Sequence, residues 1–258
     1  MSDVLRLERE GEVLVVTVDR PPRNAINAEL HDALGGLFRD LKRETAARAV
    51  LITGAGTTFS AGGDFAWFPE LASPNRLGEL HRAARQLIWD LLDVELPIVA
   101  AINGPAVGLG ASIALLSDVI VMADTAVISD PHVRVGIVAG DGGAAIWPLL
   151  VGPARAKQYL LTGDPVDAAQ AERIGLVNDV VPAEQLGERA RWWATRLAAQ
   201  APLALRFTKQ AVNAQVKHAL LTSFDTSAAL ELVTFVSADH QEALAAIREK
   251  RTPRFEGR

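Results

Sequence analysis

The chain is predicted to be an α/β protein with a helical C-terminal subdomain, and three observations carry that prediction. Short apolar runs, partly β-branched, alternate with amphipathic helical stretches as far as residue 181. Two glycine-rich stretches, 54–63 and 104–110, each follow such a run, as strand-to-helix junctions do. Beyond Ala183 the pattern is helical to the end, with few glycines.

In chain order, Val13-Leu14-Val15-Val16-Thr17-Val18 reads as a strand, ended by Pro21 and Pro22, which cannot continue a ladder. Asn27 is placed to cap a helix whose Leu30, Leu34, Leu37 and Leu41 recur at helical spacing. Residues 49–53 form the next strand. It runs into Gly54-Ala55-Gly56-Thr57-Thr58-Phe59-Ser60-Ala61-Gly62-Gly63-Asp64-Phe65, too long for a simple turn and therefore a candidate functional loop. Residues 66–78 show no clear period, and 80–92 form a helix with Leu80, Ala84, Leu87 and Leu91 on one face. Pro97 opens a buried strand, Ile98-Val99-Ala100-Ala101-Ile102. Asn103-Gly104-Pro105 then forces a turn, Gly108 and Gly110 permit close backbone approach, and residues 111–116 start a helix.

Strands follow at 119–122 and 126–128. The loop Asp130-Pro131-His132-Val133-Arg134-Val135-Gly136-Ile137-Val138-Ala139-Gly140-Asp141-Gly142-Gly143 next sets ionisable side chains among apolar residues and glycines. Helices are expected at 153–161, stopped by Gly163, and from Asp167, whose Gln170 completes a capping box. Residues 177–181 are the last strand. The C-terminal part divides into about four helical segments near Ala201-Pro202, residues 218–222 and Ser237, with Asp239 and Glu242 as another capping box.

Composition narrows the function. The absence of cysteine excludes disulfides, zinc fingers and thiol chemistry. A formal net charge of −5 gives no footprint for nucleic acid. No apolar run reaches the roughly twenty residues of a membrane span, and the charged start lacks a signal peptide's apolar segment, so a cytoplasmic protein is expected. Both G-x-G stretches lack the third glycine of the dinucleotide fingerprint, and no lysine follows either as in a Walker loop. Gly110-Ala111-Ser112-Ile113-Ala114 approaches a nucleophile elbow but ends in Ala, and its strand stops several residues earlier. Ser112 is therefore not read as a nucleophile. His31, His81, His218 and His240 are expected on solvated helix faces, and no metal site is expected.

Two loops taken together resemble the enoyl-CoA hydratase/isomerase, or crotonase, superfamily. Phe59-Ser60-Ala61-Gly62-Gly63-Asp64 is similar to the family's F-x-A-G-x-D loop, and Ala101-Ile102-Asn103-Gly104-Pro105-Ala106-Val107-Gly108-Leu109-Gly110 to its A-x-N-G-x-A-x-G-G-G loop. Further matches at Ser117-Asp118, Leu161-Thr162-Gly163-Asp164, Gly175-Leu176-Val177 and Glu249-Lys250-Arg251-Thr252-Pro253-Arg254-Phe255 extend the resemblance over nearly the full length.

The resemblance implies a spiral of ββα turns over residues 1–200 and a helical trimerisation region over 201–258, giving a homotrimer or homohexamer. It implies an acyl-CoA thioester substrate, with coenzyme A as part of the substrate and no separate cofactor, no nucleic acid and no membrane. The chemistry implied is stabilisation of a thioester enolate by two backbone N–H groups, here those of Gly63 and Leu109. Leu109 stands where the family usually has glycine. Arg23, Ala25, Ala61, Asp64, Phe65, Pro105, Val135 and Gly140 are the implied substrate and CoA contacts, with Lys250 and Phe255 at positions that hold the nucleotide end.

The two positions matching the hydratases' glutamates hold Ser112 and His132. His132 and Asp141, in the context Gly136-Ile137-Val138-Ala139-Gly140-Asp141-Gly142, are instead similar to the pair in the superfamily's 6-oxocamphor-type β-diketone hydrolases, which also place an auxiliary glutamate near Glu231. Asp141 and His132 are thus the expected catalytic pair. Hydration, dehydration or double-bond migration is the expected outcome. The alternatives are retro-Claisen hydrolysis of a β-diketone and a non-catalytic CoA- or RNA-binding member.

Overall fold

A computed structural model describes residues 3–68 and 74–258. Runs such as VLVVTV and IVAAI can form strands because β-branched side chains suit a pleated surface, and a run apolar at every position suits a strand covered on both faces. Six strands form the larger sheet. β1 (Leu5–Glu10) pairs antiparallel with β2 (Val13–Val18). After helix α1 (Ala28–Leu41), β3 (Ala49–Gly54) joins β2 in parallel. Helix α2 (Pro74–Leu92) leads to β4 (Ile98–Ile102), which every position buries and which pairs in parallel with β3.

A strand of the large sheet, a short strand of a second sheet and a helix then repeat. The first such turn is β4, β5 (Ala106–Val107) and α3 (Leu109–Leu115). The second is β6 (Val119–Ala123), β7 (Val127–Ser129) and α4 (Gly143–Thr162). Strand β8 (Val166–Asp167), helix α5 (Ala168–Arg173) and strand β9 (Asp179–Val181) follow, giving sheet orders β1-β2-β3-β4-β6-β9 and β5-β7-β8. This is the ββα spiral the resemblance implied. Helix α6 (Leu186–Ala198) lies across β2, β3, β4 and β6, while α7 (Pro202–Phe235) packs on α2 and α4 and is followed by α8 (Ala238–Glu249).

Several local expectations hold for the reasons given. The Asn27 side chain accepts from the Leu30 N–H and that of Asp167 from the Gln170 N–H, each cap being worth about 1 kcal/mol. Leu30, Leu34, Leu37 and Leu41 all turn into the core.

Others need correction. β1 was not expected, because Arg6, Glu8, Arg9 and Glu10 hide its alternation; an edge strand with one wet face tolerates those charges. α4 begins ten residues before the expected 153, with a break at Gly152 (φ 76°, ψ 158°) between Pro148 and Pro153. α2 begins at Pro74, within the stretch where no period was visible, while residues 69–73 of that stretch lie outside the described residues. α7 runs unbroken through 218–222, where a division was expected. Ser237, not Asp239, caps α8, by accepting from the His240 N–H; Asp239 instead accepts from the backbone N–H groups of Glu256 and Gly257, holding the C-terminal tail. Among the described residues no single helix is long and apolar enough to cross a membrane; only α7 and α8 together, bent by 66°, pass on length and composition.

Candidate active site

The carboxyl ends of parallel strands are where an α/β sheet leaves its loops free to meet a ligand, and the candidate residues sit there. The loops after β3 and β4 are stitched together: the Ser60 N–H donates to the Pro105 carbonyl, and the Val107 N–H to the Ser60 carbonyl. Asn103 braces them from within, accepting from the Gly54 N–H and donating to the Gly56 carbonyl. Asn24 donates to the carbonyls of Ala55 and Thr58. Rigid loops of this kind can hold backbone groups in fixed directions.

Two N–H groups gain from that. The parallel bridge between Ile26 and Gly63 uses the Gly62 carbonyl and the Asp64 N–H, which leaves the Gly63 N–H out of the pairing. Gly108 adopts φ 52°, a conformation that side-chain-bearing residues avoid, and hands the chain into α3 at Leu109. The first N–H groups of a helix have no partner within it. Gly63 and Leu109 both line a cavity of about 90 Å³.

The opposite wall carries side chains. A short 3₁₀ turn, His132–Val135, follows β7 and presents the His132 ring to Asp141, with Nε2 3.3 Å from Asp141 Oδ2. The other ring nitrogen, Nδ1, is hydrogen-bonded to Asp130 Oδ1. From α7, Glu231 enters the same cavity with Oε1 3.8 Å from His132 Nε2. The approach is close because residue 140 is glycine: a Cβ there would stand 2.5 Å from the Glu231 Cβ. Thr234 ties the loop to α7 by accepting from the Val138 N–H. Ser112, fully buried in α3, has its hydroxyl 3.5 Å from Asp141 Oδ1.

The electrostatics are those of one imidazole among three carboxylates. Burial pulls His132 down, but the charges of Asp130 and Asp141 and their hydrogen bonds outweigh it and hold the ring well above its ordinary value. Burial pushes Glu231 up to about 8; the neighbouring His132 opposes this, and Asp141 and Asp130 add to it. One ligand atom from each of Asp130, His132 and Asp141 falls within 4.8 Å of the others, a spacing a cation can bridge. The two nitrogens of the single imidazole face different carboxylates, so only one of them could ligate such an ion.

Apolar side chains close the cavity. Ile26, Phe68, Leu80, Ile137, Phe224 and Phe235 line it, and Phe68 and Phe235 meet edge-on at 5.6 Å. His31 also lines it, 4% exposed, and its Nε2 has no hydrogen-bond partner among the described residues. His31 and His240 thus depart from the solvated faces expected for them; His240, 2% exposed, donates to the Val135 carbonyl. His81 is half-buried at the cavity wall, whereas His218 is exposed as expected.

The remaining expected contacts lie around the loops rather than in the cavity lining. The Arg23 carbonyl accepts from the Ala61 N–H, the Ala25 carbonyl accepts from Arg20, and Asp64 forms an ion pair with Arg20 at 2.9 Å. Phe65 is 45% exposed and Pro105 is at the surface. Val135 packs beside Leu77, Ile137 and Phe235, its carbonyl committed to His240. Gly140 does line the cavity. Lys250 and Phe255 lie in the tail beyond α8. A wider cleft nearby, about 800 Å³ and rimmed by Glu242, Arg251 and Arg254, holds none of the candidate residues.

Glu231 was legible only through the resemblance; its own signal, a lone acid between Leu230 and Leu232, looks like any helix-surface residue. Asp130 was not singled out as a site residue at all.

Comparison with known proteins agrees with this geometry. The sequence profile of the enoyl-CoA hydratase/isomerase family matches residues 8–258. A probable enoyl-CoA hydratase of Mycobacterium bovis is 33% identical over 255 residues, covering 98% of each chain. The crystal structure of an enoyl-CoA hydratase/isomerase from Mycobacterium paratuberculosis superposes with a TM-score of 0.91 at 36% identity, covering 95% of this chain and 98% of that one. A β-diketone hydrolase from the cyanobacterium Anabaena superposes at 0.85 with 30% identity, covering 91% and 94%. With a profile match that takes in both glycine-rich loops, the His132–Asp141 segment and the helix that brings Glu231, the chain belongs to the enoyl-CoA hydratase/isomerase family.

Proposed function

We propose that this family member acts on an acyl-CoA thioester, holding its enolate and moving a proton at the α-carbon, with hydration, dehydration or double-bond migration as the outcome. The observation that carries the reading is the pairing, across one small cavity, of two N–H groups outside secondary-structure pairing with a His–Asp–Glu cluster. In this reading the thioester oxygen lies against the N–H groups of Gly63 and Leu109, which stabilise the negative charge as it develops. Asp141 accepts and returns the α-proton. Glu231, pushed up to about 8, carries a proton at neutral pH and supplies it to the γ-carbon in double-bond migration or to the leaving β-hydroxyl in dehydration; in hydration it takes that proton back from the adding water. The apolar lining takes the acyl chain, the exposed rim at Arg23, Phe65 and Pro105 takes the CoA end, and coenzyme A belongs to the substrate.

The experiment is a panel of crotonyl-CoA, longer enoyl-CoAs and cyclic β-diketones, followed by loss of enoyl-thioester absorbance or of diketone. Turnover of an enoyl-CoA supports the reading; turnover of diketones alone overturns it. That second outcome, carbon–carbon bond hydrolysis, is favoured by the lack of a carboxylate at Ser112 or at residue 132, together with the likeness to the Anabaena β-diketone hydrolase over 91% of this chain.

Assembly as a trimer or a dimer of trimers is part of the proposal. Leu230, Val233 and Val236 are 52%, 66% and 59% exposed along the end of α7, and Leu203, Phe207 and Val212 are exposed nearer its start. Leu232 and Phe235, from the same end of α7, turn inward to the cavity.

A further inference from the structure

His132 meets a carboxylate at each nitrogen, and the one at Nδ1 is the more enclosed. Asp130 is 1% exposed. Its Oδ1 bonds His132, while its Oδ2 is buried without a hydrogen-bond partner among the described residues. The carboxylate is wedged against the first turn of α4, where a Cβ on Gly143 would stand 1.8 Å from Oδ2. A buried carboxylate with one bare oxygen is costly unless positive charge lies alongside. Two sources are in place: the imidazole ring and the amino end of α4, whose dipole is positive there.

The other charged groups around the ring are accounted for. Glu231 approaches from α7 and Asp141 from the loop before α4. Arg134, on the same 3₁₀ turn, points away to Asp164 and the Thr162 carbonyl. From α8, His240 donates to the Val135 carbonyl. An imidazole that works as a neutral base needs one nitrogen bare, and here each nitrogen faces an acceptor.

We propose that Asp130 is a positioning residue that fixes the His132 ring through Nδ1 as a standing cation between itself and Asp141, so that Asp141 is the proton acceptor and His132 the charge that holds it in place. The proposal rests on the reading of the cavity as a proton-transfer site given above. It replaces the simpler expectation that His132 and Asp141 act together as the catalytic pair. The direction in which His132 is displaced from its ordinary value agrees with it.

The test begins with the intact protein. The nitrogen-15 resonances of His132, assigned by their absence in His132→Gln, report both charge and protonation of each ring nitrogen. Both nitrogens are expected to be protonated at pH 7.5, and a neutral ring there overturns the proposal. In Asp141→Asn the ring is expected to stay cationic at pH 7.5, because Asp130 alone holds it; a ring that turns neutral in that variant also overturns it. In Asp130→Asn the His132 midpoint should fall by about 1 unit or more, the scale on which a contacting opposite charge moves a titrating group, and the pH profile of kcat should gain a limb at the new midpoint. Adding Asp130→Asn to His132→Gln should cost no further turnover, whereas a second, additive loss makes Asp130 merely structural. If Asp130→Asn does not fold, the wild-type and Asp141→Asn titrations still decide. The wider reading is judged separately: full turnover in Asp141→Asn with a cationic His132 removes the proton-transfer role and leaves the placement of the ring intact.

Discussion

Along one side of the cavity stand Gly63 and Leu109, on loops that leave adjacent parallel strands and are bonded to each other. Along the other stand the side chains of His132, Asp141 and Glu231, and the last of these belongs to a helix that starts at Pro202. The first side depends on the path of the chain and is nearly indifferent to side-chain identity, so Leu can stand where the family usually has Gly. The second depends on side-chain chemistry and can differ between relatives that share the first. Substitutions should therefore separate the two sides cleanly.

The largest effect is expected where the backbone donor itself is removed. Gly63→Pro deletes the N–H, and losing one such donor costs about 100- to 1,000-fold in turnover; a folded Gly63→Pro enzyme with near-normal turnover breaks the comparison at its first side. Asp141→Asn, nearly isosteric but unable to accept a proton, should still fold and lower turnover by about 100-fold or more. Retention of wild-type turnover would make the side-chain cluster structural.

Leu109→Ala sharpens the contrast from the other direction. It keeps the N–H and removes a core side chain that is 8% exposed, so stability should fall by about 2–5 kcal/mol. Turnover of the folded fraction should stay within an order of magnitude. A large loss of kcat without loss of stability would mean that the side chain, not the N–H, matters at this position.

The smallest expected effect is on the pH dependence of stability. Glu231 titrates at about 8 in the folded chain against 4.5 for the free group, so its contribution is fully present below about pH 4.5 and is lost as pH rises through 8. His132, also raised, acts in the same sense, its contribution being lost as pH rises through its folded value. The melting temperature of the wild type should therefore fall further between pH 5 and pH 8.5 than that of Glu231→Gln, by roughly 2–4 °C for each kcal/mol of linkage. Parallel curves would show that Glu231 is solvated rather than held beside His132.

How much of this was legible follows the same division. Glycines, a strand period and the fixed order of Asn103-Gly104-Pro105 are local signals, so the sheet, both stitched loops and the backbone side of the cavity could be read from short windows. Asp141 and His132 stood out because charge is conspicuous among Ile137, Val138 and glycines. Glu231 needed the packing of α7 against the loop, a contact between residues 91 positions apart in the sequence (231 − 140), and no local pattern encodes it. Asp130 failed differently: an Asp before Pro131 reads as a turn residue, and only its burial reveals otherwise. The continuous α7 was missed because the polar run through residues 213–218 resembles a loop, when it is the wet face of a helix whose opposite side is covered by α2 and α4.

The missing Cβ at Gly140 lets α7 close in as a wall of the cavity. The loop beneath it has no side chain at that one position, so the Glu231 stem rests directly on backbone. Under the proposed reading, an amide in place of the carboxyl at that one point would leave the Gly63 and Leu109 donors where they are and withdraw the acid. The seat at residue 140 admits no side chain of its own, since a Cβ there would stand 2.5 Å from the Glu231 Cβ.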